Sequence, residues 1–190
     1  MVLFFDTETT GKPKDYKASM QDVDNWPRVT QMAWMICDDD GTIVRERTTL
    51  IRPEGWVVPK EKFFIDNNMS TERCEAEGRS IKLVLNTFLQ DQLQCQQQAA
   101  HNMSFDYNVV GAELIRAGMK YSDDIISICT MQRSTDYCRI KGPYGNKWPT
   151  LVELHRKIFN EDFDGAHDAL HDVKATAKCY FALKKIGVIK

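Results

Sequence analysis

The chain has 190 residues, of which 43% are apolar and 27% charged, with a formal net charge of −2 at pH 7. That length suits a single domain over residues 1–190 with a sizeable core. The charge excludes a broadly basic nucleic-acid coat but not a local patch, and no apolar stretch approaches the roughly 20 residues of a membrane span. No basic leader or small-residue cleavage site opens the chain. Six scattered cysteines without a CxxC pair read as reduced thiols, so a cytoplasmic protein with no membrane partner is expected.

Residues 2–5 are a continuous apolar run that predicts a strand buried on both faces. It ends on Asp6 and Glu8, which alternation along an extended chain puts on one side, with Thr7 on the other. Two adjacent carboxylates repel and resist desolvation; either a divalent cation lies between them or they form a solvated strand end. Residues 12–28, punctuated by Pro13 and Pro27, read as a long loop or flexible flap. Residues 29–36 are a second strand, 38–41 a hairpin turn, and 42–51 a third strand whose Arg45, Glu46 and Arg47 put it near a sheet edge.

Further along, residues 60–69 suggest a short helix, and 80–93 have helical apolar spacing with Ser80 as N-cap. The glutamine-rich stretch 90–98 reads as a polar linker. A fourth strand ends near His101-Asn102, followed by a helix over 104–117 stopped by Gly118. A short strand covers 125–129, a loop 141–149, a helix capped by Thr150 runs to about 159, and a last helix runs from near Asp168 to Lys185. Hairpin-linked opening strands are antiparallel and strands reached by helical crossovers parallel, so the order predicts an α/β domain with a mixed sheet.

Two more acids stand out. Asp106 falls in the first turn of its helix, where a carboxylate is favoured by the helix N-terminus. Asp172 lies one turn into the last helix, with His167 in the entry turn. The three stretches Phe5-Asp6-Thr7-Glu8-Thr9-Thr10-Gly11, His101-Asn102-Met103-Ser104-Phe105-Asp106 and His167-Asp168-Ala169-Leu170-His171-Asp172 resemble, in the right order, the motifs of the DEDDh (DnaQ-like) 3′–5′ exonucleases. That family includes the proofreading subunit of bacterial DNA polymerase III and ribonuclease T.

The resemblance implies a ribonuclease H-like fold, a five-stranded mixed sheet with helices on both sides. It implies that Asp6, Glu8, Asp106 and Asp172 hold two divalent cations, Mg²⁺ or Mn²⁺, with Asp6 bridging and His167 as general base. Single-stranded 3′ ends would then be trimmed to nucleoside 5′-monophosphates, with Thr9 and Thr10 approaching the terminal nucleotide. Asn102 either contacts substrate or caps its helix. Of Phe63 and Phe64, one can wedge against the terminal base, Phe64 being assigned here, while the other packs in the core. The motif spacing points to His167, not His171, as base. His101 is expected to be structural, His155 to lie at the surface, and Asp168 to be an N-cap or a first-turn acid. DNA and RNA are both open as substrate, as are a polymerase partner, a homodimer, an RNA-trimming role, and a silent nucleic-acid- or polymerase-binding module that keeps the fold.

Overall fold

The protein is described by a computed structural model covering residues 1–120, 124–163, 165 and 168–190. Five strands, β1 (Val2–Thr9), β2 (Val29–Cys37), β3 (Ile43–Leu50), β4 (Gln97–Ala100) and β5 (Ile126–Cys129), form one mixed sheet in the order β3-β2-β1-β4-β5. β2 runs antiparallel to β1 and to β3, while β4 and β5 run parallel to β1. The chain is thus a ribonuclease H-like α/β domain, as expected. β1 is central, which is why its apolar residues are continuous. β3 is an edge, and its charged residues are largely exposed.

Alternation along β1 divides the core. Leu3 and Phe5 face α3 (Ile81–Gln92) and α4 (Met103–Arg116), joining Phe88, Val109 and Val110. Val2 and Phe4 face the other way, toward α7 (Leu151–Phe159) and α8 (Ala169–Lys185), and meet Leu154, Val173 and Tyr180. Each such fully buried large side chain contributes about 1.5–3 kcal/mol. Since Asp6 and Glu8 continue the phase of Val2 and Phe4, they emerge toward α8, and Thr7 emerges toward α4.

Several expectations are corrected. The short helix expected over 60–69 is the five-residue α1 (Lys62–Asp66), and beyond that range lies an unexpected α2 (Thr71–Glu77), whose N-cap Ser70 accepts from the Arg73 N–H. The polar linker shrinks to residues 93–96, because α3 runs through Gln92 and β4 begins at Gln97. Gln92 and Gln98 are buried and bonded to each other at 2.8 Å. α5 (Thr130–Arg133) and α6 (Thr135–Cys138) follow β5, and the loop over 141–149 contains a small hairpin, β6 (Lys141–Gly142) with β7 (Gly145–Asn146).

The stretch 12–28 is a loop, but it is tied down. Asn25 exchanges hydrogen bonds with Asp15 at 2.7 and 2.9 Å. Trp26 is buried and its indole N–H donates to Ser19 O at 3.0 Å. Arg116 on α4 donates to the carbonyls of Val23, Trp26 and Pro27. A Cβ at Gly111 of α4 would come within 2.4 Å of the Met20 sulfur, so the loop lies directly on that helix. Thr150 makes a full capping box with Glu153, and Gly118 ends α4 at φ +70°, where glycine is favoured.

Candidate active site

The carboxyl end of β1 carries the site. Asp6 and Glu8 stand on the α8 side, and α8 presents Asp172 from its first turn. These three each offer an oxygen within 4.8 Å of the others. Oxygens around one Mg²⁺ at about 2.0–2.1 Å are at most roughly 4.2 Å apart, so the donor set fits one hard divalent cation with small adjustment. Asp106 comes from α4 on the other side of β1. It is 2% exposed, and its Oδ1 accepts from the Thr7 N–H at 3.0 Å and the Thr7 hydroxyl at 2.8 Å. Thr7 therefore holds the fourth acid against the strand that carries the first two.

The electrostatics need a counter-charge. Burial, and then the charges of Asp106, Asp172 and Glu8, push Asp6 well above the ordinary carboxylate range. Glu8 is pushed up to about 8, by burial first and then by Asp172 and Asp106. Burial also raises Asp106 to about 7, despite the two hydrogen bonds from Thr7 that favour its ionised form. Four acids held this close cannot all ionise unaided, and bound cations would relieve them.

The start of α8 is fixed by Asp168, the expected N-cap, whose Oδ1 accepts from the Leu170 and His171 amides at 3.1 and 3.3 Å. His171 points its Nδ1 at the same oxygen, 3.0 Å away. Burial pushes Asp168 up, but hydrogen bonds from Gln31 and His171 outweigh it and hold the carboxyl below its ordinary range. His167 lies outside the described residues.

The expected substrate contacts fall into place unevenly. Thr9 is buried and its hydroxyl donates to Gly11 O at 2.7 Å; the Thr10 hydroxyl accepts from the Arg28 N–H at 3.0 Å. The first closes the turn that leaves β1, and the second ties that turn to the far end of the loop. Asn102 sits at the N-cap position of α4 at φ +73° but makes no side-chain cap bond, so of its two roles capping is not made. Phe64 is corrected: at 4% exposure it packs with Leu50, Val58, Met69 and Cys74, an apolar cluster under α1 and α2, and Phe63, at 38%, is the outward ring.

His155 is also corrected. It is 2% exposed, its ring beside Phe159 and Phe163 and its Nδ1 2.9 Å from Glu161 O, because the return of the chain after α7 covers it. His101 is structural, as expected. Its Nε2 lies 3.0 Å from the Pro149 carbonyl and must carry the proton, leaving Nδ1 to accept from the Thr130 hydroxyl at 3.1 Å. Burial lowers it to about 4, so it stays neutral at physiological pH. Sequence reading missed Thr7 and Gln31. The signal for Thr7 was its position on the face opposite the two acids.

Sheet order and helices on both faces define a ribonuclease H-like α/β domain, with carboxylates converging at the end of its central strand. Residues 3–180 match the sequence model of the exonuclease family RNase_T. The chain belongs to that exonuclease family. Among solved structures it is similar to exonuclease I, at 18% identity over 97% of this chain and 40% of that one, TM-score 0.73. It is similar also to the enzyme from Methylocaldum szegediense, at 20% identity over 98% of this chain and 40% of that one, TM-score 0.71. The E. coli enzyme in complex with a dT13 oligonucleotide aligns at 16% identity over 96% of this chain and 40% of that one, TM-score 0.72. The chain thus spans about two fifths of the length of these structures. No curated protein matches it in sequence. Among the described residues no helix is long and apolar enough to cross a membrane, and all six cysteines are free.

Proposed function

We propose that the chain is a metal-dependent 3′–5′ exonuclease that hydrolyses the terminal phosphodiester of single-stranded nucleic acid and releases nucleoside 5′-monophosphates. The observation that carries this reading is the convergence of Asp6, Glu8 and Asp172 within 4.8 Å, beside an Asp106 anchored through Thr7. Asp6, Glu8 and Asp172 would hold one Mg²⁺ or Mn²⁺, and Asp6 with Asp106 a second. Two such cations would supply charge stabilisation at the scissile phosphate and a water acidic enough to attack it.

The protein's own residues do the rest. Glu8 and Asp106, raised by burial, would have to give up their protons to hold cations, so binding would release protons and strengthen with pH. His167, five residues before Asp172, is the general base of the motif and would take the proton of the attacking water. The turn that carries Thr9 and Thr10 would receive the terminal nucleotide, with Asn102 facing it. A single-stranded substrate is supported by the E. coli exonuclease I complexes with dT13 and dA16. We place the protein in the cytoplasm, where its free thiols persist.

The test is to incubate single-stranded DNA and RNA of one sequence with the protein and Mg²⁺ or Mn²⁺ and to identify the products. Nucleoside 5′-monophosphates, lost when a chelator is added, are expected, and the faster polymer names the substrate. Metal-independent cleavage, or internal cuts, would overturn the proposal.

A further inference from the structure

We propose that Gln31 is a positioning residue for the site: its carboxamide clamps the first turn of α8 to β2 and so sets where Asp172 stands relative to Glu8. The inference rests on the reading of Asp172 and Glu8 as metal ligands. In the β1–β2 register Gln31 lies directly opposite Glu8, and residues paired across a sheet project to the same side. Gln31 thus emerges beside Glu8, toward α8. Its Nε2 donates to Asp168 Oδ2 at 3.1 Å, and its Oε1 accepts from the Ala169 N–H at 3.3 Å. It reaches Thr48 on the edge strand as well, at 3.4 Å.

Asp168 passes this constraint on. Its Oδ1 is committed to the Leu170 and His171 amides, and its carbonyl accepts from the Asp172 N–H at 3.0 Å, closing the turn that carries the ligand. Asp168 is accordingly a bridge between Gln31 and the helix rather than another ligand. The clamp needs an acceptor and a donor on one planar group. A glutamate at position 31 could still accept from Ala169 but would face the Asp168 carboxylate with a second acceptor. An alanine reaches neither partner. Ligand constellations tolerate only about 0.5 Å of misplacement, and losing a partner that orients a ligand typically costs about 10–100-fold in metal affinity.

The experiment compares wild type with Gln31→Ala and Gln31→Glu by Mn²⁺ calorimetry and by amide hydrogen exchange of the metal-free protein. Both variants should weaken Mn²⁺ binding about tenfold or more and speed exchange at the Leu170, His171 and Asp172 amides, while the melting temperature and KM for an oligonucleotide change little. Wild-type affinity in Gln31→Ala overturns the proposal whatever the exchange rates, and so does wild-type behaviour of Gln31→Glu. If the wild type itself binds no Mn²⁺, the metal-dependent function fails instead, and unchanged exchange in Gln31→Ala would then refute the clamp on its own.

Discussion

Replacing Thr7 by valine removes the hydroxyl that donates to Asp106 and leaves the backbone N–H as the remaining Thr7 donor. Both bonds favour the ionised carboxylate, so losing one raises the Asp106 pKa further above its ordinary range. The group must be ionised to serve a cation. The acid limb of the activity profile of Thr7→Val is therefore expected to move to higher pH, with turnover near pH 7 falling about 10–100-fold, as for other residues that orient ligands. An unshifted limb would mean that Asp106 does not titrate in the working range. Thr7 stands between two of the proposed ligands and holds a third more than ninety positions away.

Among the elements, the segment 12–28 is governed by Glu113 on α4. Glu113 is 1% exposed and accepts from Arg28 at 2.7 Å, pairs with Arg116 at 3.0 Å, and accepts from the Val29 N–H at 3.2 Å. Arg116 in turn holds three carbonyls of the loop. Glu113→Ala leaves two half-buried guanidinium groups without their carboxylate and should cost about 2–4 kcal/mol, toward the low side for a buried pair because the arginines reach solvent. Urea unfolding measures this, and limited proteolysis should then cut within residues 12–28. A cost under about 0.5 kcal/mol would mark the network as a surface ornament. The same contrast shows what was legible beforehand. Strands β1 and β2, helix α8 and the Thr150 cap could be read from local sequence pattern, and the four acids as a set from the resemblance of their three motifs to the exonuclease family. The anchoring of the loop, the Gln92–Gln98 pair and the burial of Phe64 and His155 could not, because their partners are set by tertiary packing. Helix α2 was missed because its sequence, Thr71–Glu77, buries only Cys74 and so shows no apolar periodicity.

For the molecule as a whole, the site crowds buried acids that bound cations would relieve. Glu8 and Asp106 titrate at about 8 and about 7 in the folded chain, against ordinary values of 4.5 and 3.8, so between about pH 4 and 8 the folded state binds more protons than the unfolded one. Stability of the metal-free protein therefore falls as pH rises across that window. Melting curves should show a lower midpoint at pH 8 than at pH 5.5, and Mn²⁺ should raise the midpoint more at pH 8, by at least several degrees at saturating metal. Asp6→Asn removes one of the crowded charges and should flatten the pH dependence while abolishing the metal response. A metal-free protein that is more stable at pH 8 than at pH 5.5 would contradict the crowding of acids described here.

The four carboxylates are proposed to run metal-dependent hydrolysis from a 3′ end. This is tested most directly on a 5′-labelled single-stranded oligonucleotide with Mg²⁺ or Mn²⁺, with Asp106→Ala alongside. A ladder that shortens one nucleotide at a time from the 3′ end is expected, absent in the variant, which should keep its fold by circular dichroism. An intact label in every lane with either metal, or an equal ladder from Asp106→Ala, would contradict the proposal.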